Sequence, residues 1–212
     1  MANSNQSYPA RLDIEYPGEL DRFSTFFRLL FAIPILIVLG LLTGGTEGYM
    51  NDTSHSFWAS AGSIGGGLFI ATVLMLLFQQ RYPRWWFNFV LELTRFSTRV
   101  SAYLSLLTDR YPSTEDKQSV SLDLDYPDAK RDLSRWLPLV KWLLAIPHYI
   151  VLFVLFIAAI AAVIIAWFAI LFTGKYPREL FDFVVGVTRW QLRVSAFAFL
   201  LITDEYPPFS LK

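Results

Sequence analysis

Residues 81–112 read RYPRWWFNFVLELTRFSTRVSAYLSLLTDRYP, and residues 175–207 read KYPRELFDFVVGVTRWQLRVSAFAFLLITDEYP. Both open on a basic residue, Tyr-Pro and Arg. Both carry Phe-x-Phe, then Thr-Arg, then Arg-Val-Ser-Ala and an aromatic, and both close on Thr-Asp-x-Tyr-Pro. Agreement over that length implies an internal duplication. It divides the chain into a first unit over 11–112, a connector over 113–120 and a second unit over 121–209.

Within each block the residues fall on two faces of a helix. Arg84, Asn88, Glu92, Arg95 and Arg99 are spaced by three or four and share one face. Trp85, Phe89, Leu93, Phe96, Val100 and Tyr103 take the other. Arg178, Asp182, Arg189 and Arg193 repeat the polar stripe. An arginine stripe opposite Trp, Phe and Leu suits a helix lying in the headgroup plane, with arginine stems buried and heads wet. Helices are therefore expected over about 83–107 and 177–202, with Arg84, Arg95, Arg99, Arg178, Arg189 and Arg193 as candidate contacts to anionic lipid headgroups. The aromatic faces, with Trp190, belong at the acyl boundary.

The rest of the composition agrees with a membrane. Of 212 residues, 54% are hydrophobic and 17% aromatic, and the mean hydropathy is +0.41, above the globular range. There is no cysteine, which excludes disulfides and thiolate metal sites. The two histidines, His55 and His148, are too far apart in sequence to suggest a metal centre. Zero net charge gives no reason to expect nucleic acid. The N-terminal residues lack the basic start and apolar core of a cleaved signal, so the later apolar runs must direct insertion.

Four such runs are expected to cross the membrane, over about 26–42, 57–78, 138–155 and 159–173. The last two come from a nearly continuous apolar stretch, 137–173. One helix of that length would measure about 55 Å against a hydrocarbon core of about 30 Å, so a hairpin is expected with its turn near 156–159. Four spans place all 18 Lys and Arg on one side, which by the positive-inside rule is cytoplasmic, with both termini. Proline recurs as Ala32-Ile33-Pro34 and Ala145-Ile146-Pro147, and Pro34 and Pro147 are candidate helix kinks. Gly62 and Gly66 in one run, and Ala158 and Ala162 in another, are candidate points of close helix packing.

Outside the helices, RLDIEYP (11–17) and SLDLDYP (121–127) alternate like short strands and fall on the cytoplasmic side. Seven Tyr-Pro pairs mark element boundaries. Asn51-Asp52-Thr53 is a glycosylation sequon in form only. The fold class is thus all-α integral membrane: a duplicated unit of transmembrane hairpin plus amphipathic interfacial helix, with short extended segments.

At Ala145-Ile-Pro-His, Phe-Thr-Gly-Lys-Tyr-Pro-Arg (172–178) and Thr-Asp-Glu-Tyr-Pro-Pro-Phe (203–209), the chain resembles a prokaryotic membrane family, domain-of-unknown-function family 4389, as a tandem two-copy member. The first copy departs from the second at Ile35, where the second has His148, and at Gln79-Gln80-Arg81, where the second has Thr-Gly-Lys. The resemblance implies a bacterial or archaeal inner (plasma) membrane and brings no activity.

The functional expectation is a non-enzymatic polytopic membrane protein, a scaffold or accessory subunit that contacts anionic lipid. Its partners are membrane lipids, with a second copy or another membrane protein on the small-residue faces. The alternative is an oligomeric channel or transporter, against which the spans hold almost no ionisable residue at mid-depth. A lipid-acting enzyme is a third reading. The acid pairs Asp13/Glu15, Asp123/Asp125 and Asp109/Asp204 have no nearby histidine, phosphate loop or metal-ligand spacing. No catalytic residue, cofactor or metal is expected.

Overall fold

The computed structural model describes residues 8–43, 64–113 and 118–212. The sequon Asn51-Asp52-Thr53, Gly62, the start of the second apolar run and part of the connector lie outside the described residues.

The two alternating segments form strands β1 (Ala10–Ile14) and β2 (Val120–Leu124), paired antiparallel in one sheet with Leu12 opposite Leu122. Ala10, Leu12, Ile14, Val120, Leu122 and Leu124 face inward, while Arg11, Asp13, Ser121 and Asp123 face outward. This is the two-residue alternation of a sheet with one wet face.

After β1 come two short-linked helices, α1 (Arg22–Phe26) and α2 (Arg28–Thr43), then α3 (Ile64–Leu74) extended by a wider π turn (Met75–Gln79), and α4 (Arg84–Leu104). After β2 come α5 (Pro138–Leu144), α6 (Ile146–Thr173) and α7 (Arg178–Ala198). The two amphipathic blocks are thus α4 and α7, with ends a few residues inside the expected bounds.

The expected hairpin within 137–173 is not present. α6 is one helix through Phe156 and Ala159. The sequence FIAAIAAV there has no glycine, proline or asparagine to make a turn, and alanine is the best helix former. The length problem is solved at the other end, where the helical run breaks at Ala145, leaving 28 residues, about 42 Å. Pro147 is the second residue of α6, where a missing N–H costs nothing, and is no interior kink. Pro34 does stand inside α2.

The first half reads differently in that light. Residues 33–79 cover 47 positions where 146–173 cover 28, nineteen fewer. Both stretches end on a left-handed residue, Gln80 (φ 45°) and Gly174 (φ 75°), just before Arg81-Tyr82-Pro83 or Lys175-Tyr176-Pro177. Ala32 and Ile35 of α2 pack on Phe96, Val100 and Tyr103 of α4. At the start of α6, Ala145, Tyr149 and Leu152 pack on Trp190, Val194 and Phe197 of α7. At the far end of α4, Trp86 Nε1 donates to Thr72 Oγ1 of α3, 2.8 Å. α2 and α3 together therefore line α4 as α6 lines α7, with the extra residues between them.

α6 turns through residues 174–177 into α7 and packs antiparallel to it. His148, Leu152, Leu155, Ala159, Ala162, Ala166 and Ile170, spaced by three or four, form its inner seam. Ala162 lies in this seam, whereas Ala158 is on the exposed face. Gly66 is partly buried on α3. The other sides of α6 are apolar and open, with Ile150, Phe153, Phe156, Ile157, Ile164, Phe168 and Phe172 all exposed. α6 is the one described helix long and apolar enough to cross a membrane.

Candidate functional site

The polar stripes of α4 and α7 carry the six candidate arginines, and the sheet takes up two of them by crossing over. Arg95 of α4 donates through Nε to Leu122 O of β2 at 2.8 Å, and pairs with Glu92 at 2.7 Å and Asp123 at 2.8 Å. Arg189 of α7 donates to Leu12 O of β1 at 3.0 Å. Each helix thus holds the strand that begins the other half of the chain. The tyrosines ending the strands follow the same rule. Tyr16 Oη donates to Tyr176 O, and Tyr126 Oη to Tyr82 O. Arg178 lies over the Tyr16 ring at 4.5 Å and Arg84 over the Tyr126 ring at 5.2 Å, a cation–π arrangement.

The remaining two arginines are tied to chain ends and loops. Arg99 donates to Ser113 O. Arg193 is buried and donates to the carbonyls of Ser210 and Lys212. Burial, and next the neighbouring Arg189 charge, lower its pKa, while Tyr8 opposes the shift. Arg84 and Arg178 are the two of the six with exposed side chains, Arg178 also pairing with Asp182 at 3.4 Å. Of the aromatic face, Trp85 and Phe89 are exposed, whereas Phe96 and Trp190 are buried.

Two further cations, neither read as a site in the sequence, are buried at the starts of the apolar helices. Arg28 of α2 donates to Tyr103 O at 2.8 Å and Thr108 O at 2.7 Å, pairs with Asp109, and lies 4.5 Å over the Tyr103 ring. Lys141 of α5 donates to Thr203 O at 2.6 Å, pairs with Asp204 at 2.7 Å, and lies 5.2 Å over the Phe197 ring. Each carboxylate also accepts a backbone N–H, Asp109 from Asp21 and Asp204 from Ser134. Position by position the two sets are built alike. Arg28, at the start of an apolar run where an arginine is able to snorkel, is instead buried. The signal was legible: a cation five or six residues before each Ile-Pro, and an aspartate closing each block.

At the start of α6, His148 is fully buried. Its ring stacks on Phe209 at 4.0 Å between centroids, and Nδ1 accepts from Trp190 Nε1 at 3.2 Å. The C-terminal residues are thereby laid along α7. They pass so close to Gly186 that a Cβ there would stand 2.8 Å from Leu211 O.

Residues 135–210 match the family model described as Domain of unknown function (DUF4389). That stretch takes in Lys141, His148, Trp190, Arg193, Asp204 and Phe209. It does not reach the first half, so the expectation of a tandem two-copy member is not met by this comparison. No curated protein and no solved structure matches the chain.

Proposed function

We propose that this chain is a non-enzymatic membrane protein, a scaffold or accessory subunit, that lies in one face of the bilayer with its sheet on the cytoplasmic side. The observation that carries the reading is the division of its surface. α1, α2, α5 and α6 present exposed Phe, Leu, Ile, Val and Trp almost without interruption, whereas the outer face of the sheet is Arg11, Asp13, Ser121 and Asp123. Monomeric soluble proteins rarely expose contiguous apolar areas above a few hundred Å².

The packing favours α6 lying along the membrane over α6 crossing it. α7 runs beside α6, and β1 is held on α7 by Arg189. A perpendicular α6 would carry Arg189 and the carboxylates of the sheet toward the hydrocarbon, at about 2.5–3.5 kcal/mol for each charge on insertion scales. Lying in the plane keeps these groups wet and sets the open sides of α6 in the acyl boundary. This replaces four crossings by an embedded surface, with the charged sheet face turned to the cytoplasm as part of the proposal. Contact with anionic headgroups then falls first to Arg84 and Arg178, exposed at the starts of α4 and α7.

The chain has no cysteine, so single cysteines at Ile150, Ile157, Ile164 and Phe172 take nitroxide labels cleanly. In vesicles, collision with oxygen and with a water-soluble nickel chelate reads the depth of each. Similar shallow depths at all four support the in-plane placement. Depth that rises to a maximum near Ile157 and falls again means a crossing helix. Full access to the nickel chelate at all four overturns membrane embedding.

A further inference from the structure

We infer that the gap between α4 and α7 is a binding site for an uncharged membrane lipid with a hydroxyl headgroup, such as an acylglycerol; this rests on the membrane reading above. α4 and α7 are held together by the strands at one side and border a half-open cavity of about 850 Å³ between them, flanked by α3 and α6. That volume is within the range of about 300–1,000 Å³ typical of small-molecule sites.

The lining sets the chemistry. Along α4 it presents Thr94, Ser97 and Ser101, and along α7 Thr188, Gln191 and Ser195. The outer wall is Phe156, Ile160 and Val163 of α6. Among the described residues that line it, none is charged, so nothing there compensates a phosphate or carboxylate, which would be costly to desolvate. The site is apolar toward the membrane and polar toward the interior, an arrangement that fits an amphiphile.

The hydroxyls carry a further preference. Thr94 Oγ1 donates to Val90 O at 2.7 Å, Ser97 Oγ to Leu93 O at 2.8 Å, and Thr188 Oγ1 to Val184 O at 2.9 Å. Each has committed its one proton to its own helix and keeps lone pairs for the cavity. Those three positions therefore ask for a ligand that donates, as an alcohol does and an ester alone does not, while the Gln191 amide can donate to the oxygen of that same ligand. Phe156 and Ile160 line the cavity and are exposed, and Ile157 and Phe153 beside them on α6 are exposed too. An acyl chain against these residues is already at the cavity wall, so the source is the bilayer.

The test uses the full chain in phosphatidylcholine nanodiscs with three diazirine probes of one acyl chain: a monoacylglycerol, its methyl ester analogue and its phosphate monoester. Cross-linked peptides are mapped by mass spectrometry. The monoacylglycerol is expected to label α4 and α7 about tenfold above either other probe, the discrimination worth roughly one to two hydrogen bonds. Filling the cavity with Ser97→Leu and Thr188→Leu should remove that labelling. Should the filled variant fail to fold, Ser97→Ala with Thr188→Val, which remove two of the committed acceptors without filling the cavity, should bring the alcohol and ester probes to equal yield. Labelling spread evenly over α6, equal labelling by the phosphate probe, or yields untouched by both variants overturns the inference alone. A chain that does not enter the discs overturns the membrane reading and this inference with it.

Discussion

Lys141 has no solvent exposure, yet its ammonium stands 2.7 Å from Asp204 Oδ1, whose side chain keeps 20% of its surface in contact with solvent. The pair joins the first turn of the apolar second half to the end of its amphipathic block, and the Phe197 ring closes it from the side. Removing one partner of such a pair leaves a buried charge and costs about 3–5 kcal/mol, whereas replacing both by apolar groups is often neutral. Lys141→Met should therefore lower the thermal midpoint strongly, and Lys141→Met with Asp204→Leu should recover much of the loss. Calorimetry of the four proteins of the cycle in detergent checks this. A double variant no better than the single would mean that the lysine's bond to Thr203 O, and not the pair, carries the stability.

Gln80 occupies the left-handed position after the π turn that glycine occupies at Gly174. A side chain in that conformation costs about 1 kcal/mol or more, which glycine avoids. The Gln80 side chain accepts from Arg135 at 3.0 Å, in an exposed position where a bond contributes little. Gln80→Gly should thus raise stability by roughly 0.5–1 kcal/mol, read as a shift in the denaturation midpoint at unchanged slope.

Gly186 predicts the opposite response. A methyl group there meets the backbone of Leu211, not a flexible side-chain end. Gly186→Ala should displace the C-terminal residues and with them the Phe209 ring from His148 and the carbonyls from Arg193. Limited proteolysis should then clip the last residues while α7 stays protected, at a cost of about 1–3 kcal/mol in overall stability.

Two buried phenols, Tyr82 and Tyr176, and the half-buried Tyr8 set the alkaline limit. Burial raises the pKa of Tyr8, Tyr82 and Tyr176; Glu205 adds to the shift at Tyr8, and the Arg193 charge opposes it. A group raised on folding stabilises the native state fully below its unfolded pKa, about 10 for tyrosine, and that contribution is lost as pH climbs toward the folded value. Stability should hold to about pH 10 and fall above it. Absorbance at the tyrosinate band should show a late, cooperative phase coincident with unfolding. Replacing Tyr176 by Phe should shrink that phase.

Much of this was open to reading in the chain itself, for a physical reason in each case. Alternation over 11–17 and 121–127 gave the strands, and the three-to-four spacing of arginines and aromatics gave α4 and α7, because burial on one face imposes a period. What periodicity does not encode is which element covers that face. The exchange of strands between halves rests on Arg95 and Arg189 reaching carbonyls of Leu122 and Leu12, pairings between residues 27 and 177 positions apart. The hairpin expected over 137–173 rests on the length of the whole apolar run, and length does not show where such a run breaks: the break is at Ala145, since FIAAIAAV has nothing to turn on. The burial of Arg28 and Lys141 is likewise invisible to periodicity, because each depends on an aspartate far away in sequence, Asp109 and Asp204.

The arginine stripe, expected to face headgroups as a unit, divides into two kinds of residue, and that division makes the last prediction. Arg95 and Arg189 fasten strands: their bonds go to backbone carbonyls that would otherwise lack them, and Arg95 adds two carboxylates. Arg84 and Arg178 are exposed and stand at the first turns of α4 and α7, Arg84 next in sequence to the exposed Trp85. A basic side chain near an anionic surface is worth about 1 kcal/mol, and the effect is screened within a Debye length. Arg84→Gln with Arg178→Gln should therefore weaken binding to vesicles containing phosphatidylglycerol by roughly tenfold or more at low salt, with the difference fading as salt rises and the thermal midpoint little changed. Arg95→Gln with Arg189→Gln should do the reverse, costing about 1–3 kcal/mol of stability through the lost bonds and leaving the preference for anionic over neutral vesicles in place. Both binding and stability must be measured on both variants. Equal loss of lipid preference in the two would mean that the stripe acts as one charge field, and no loss in either would leave the arginines to the fold alone.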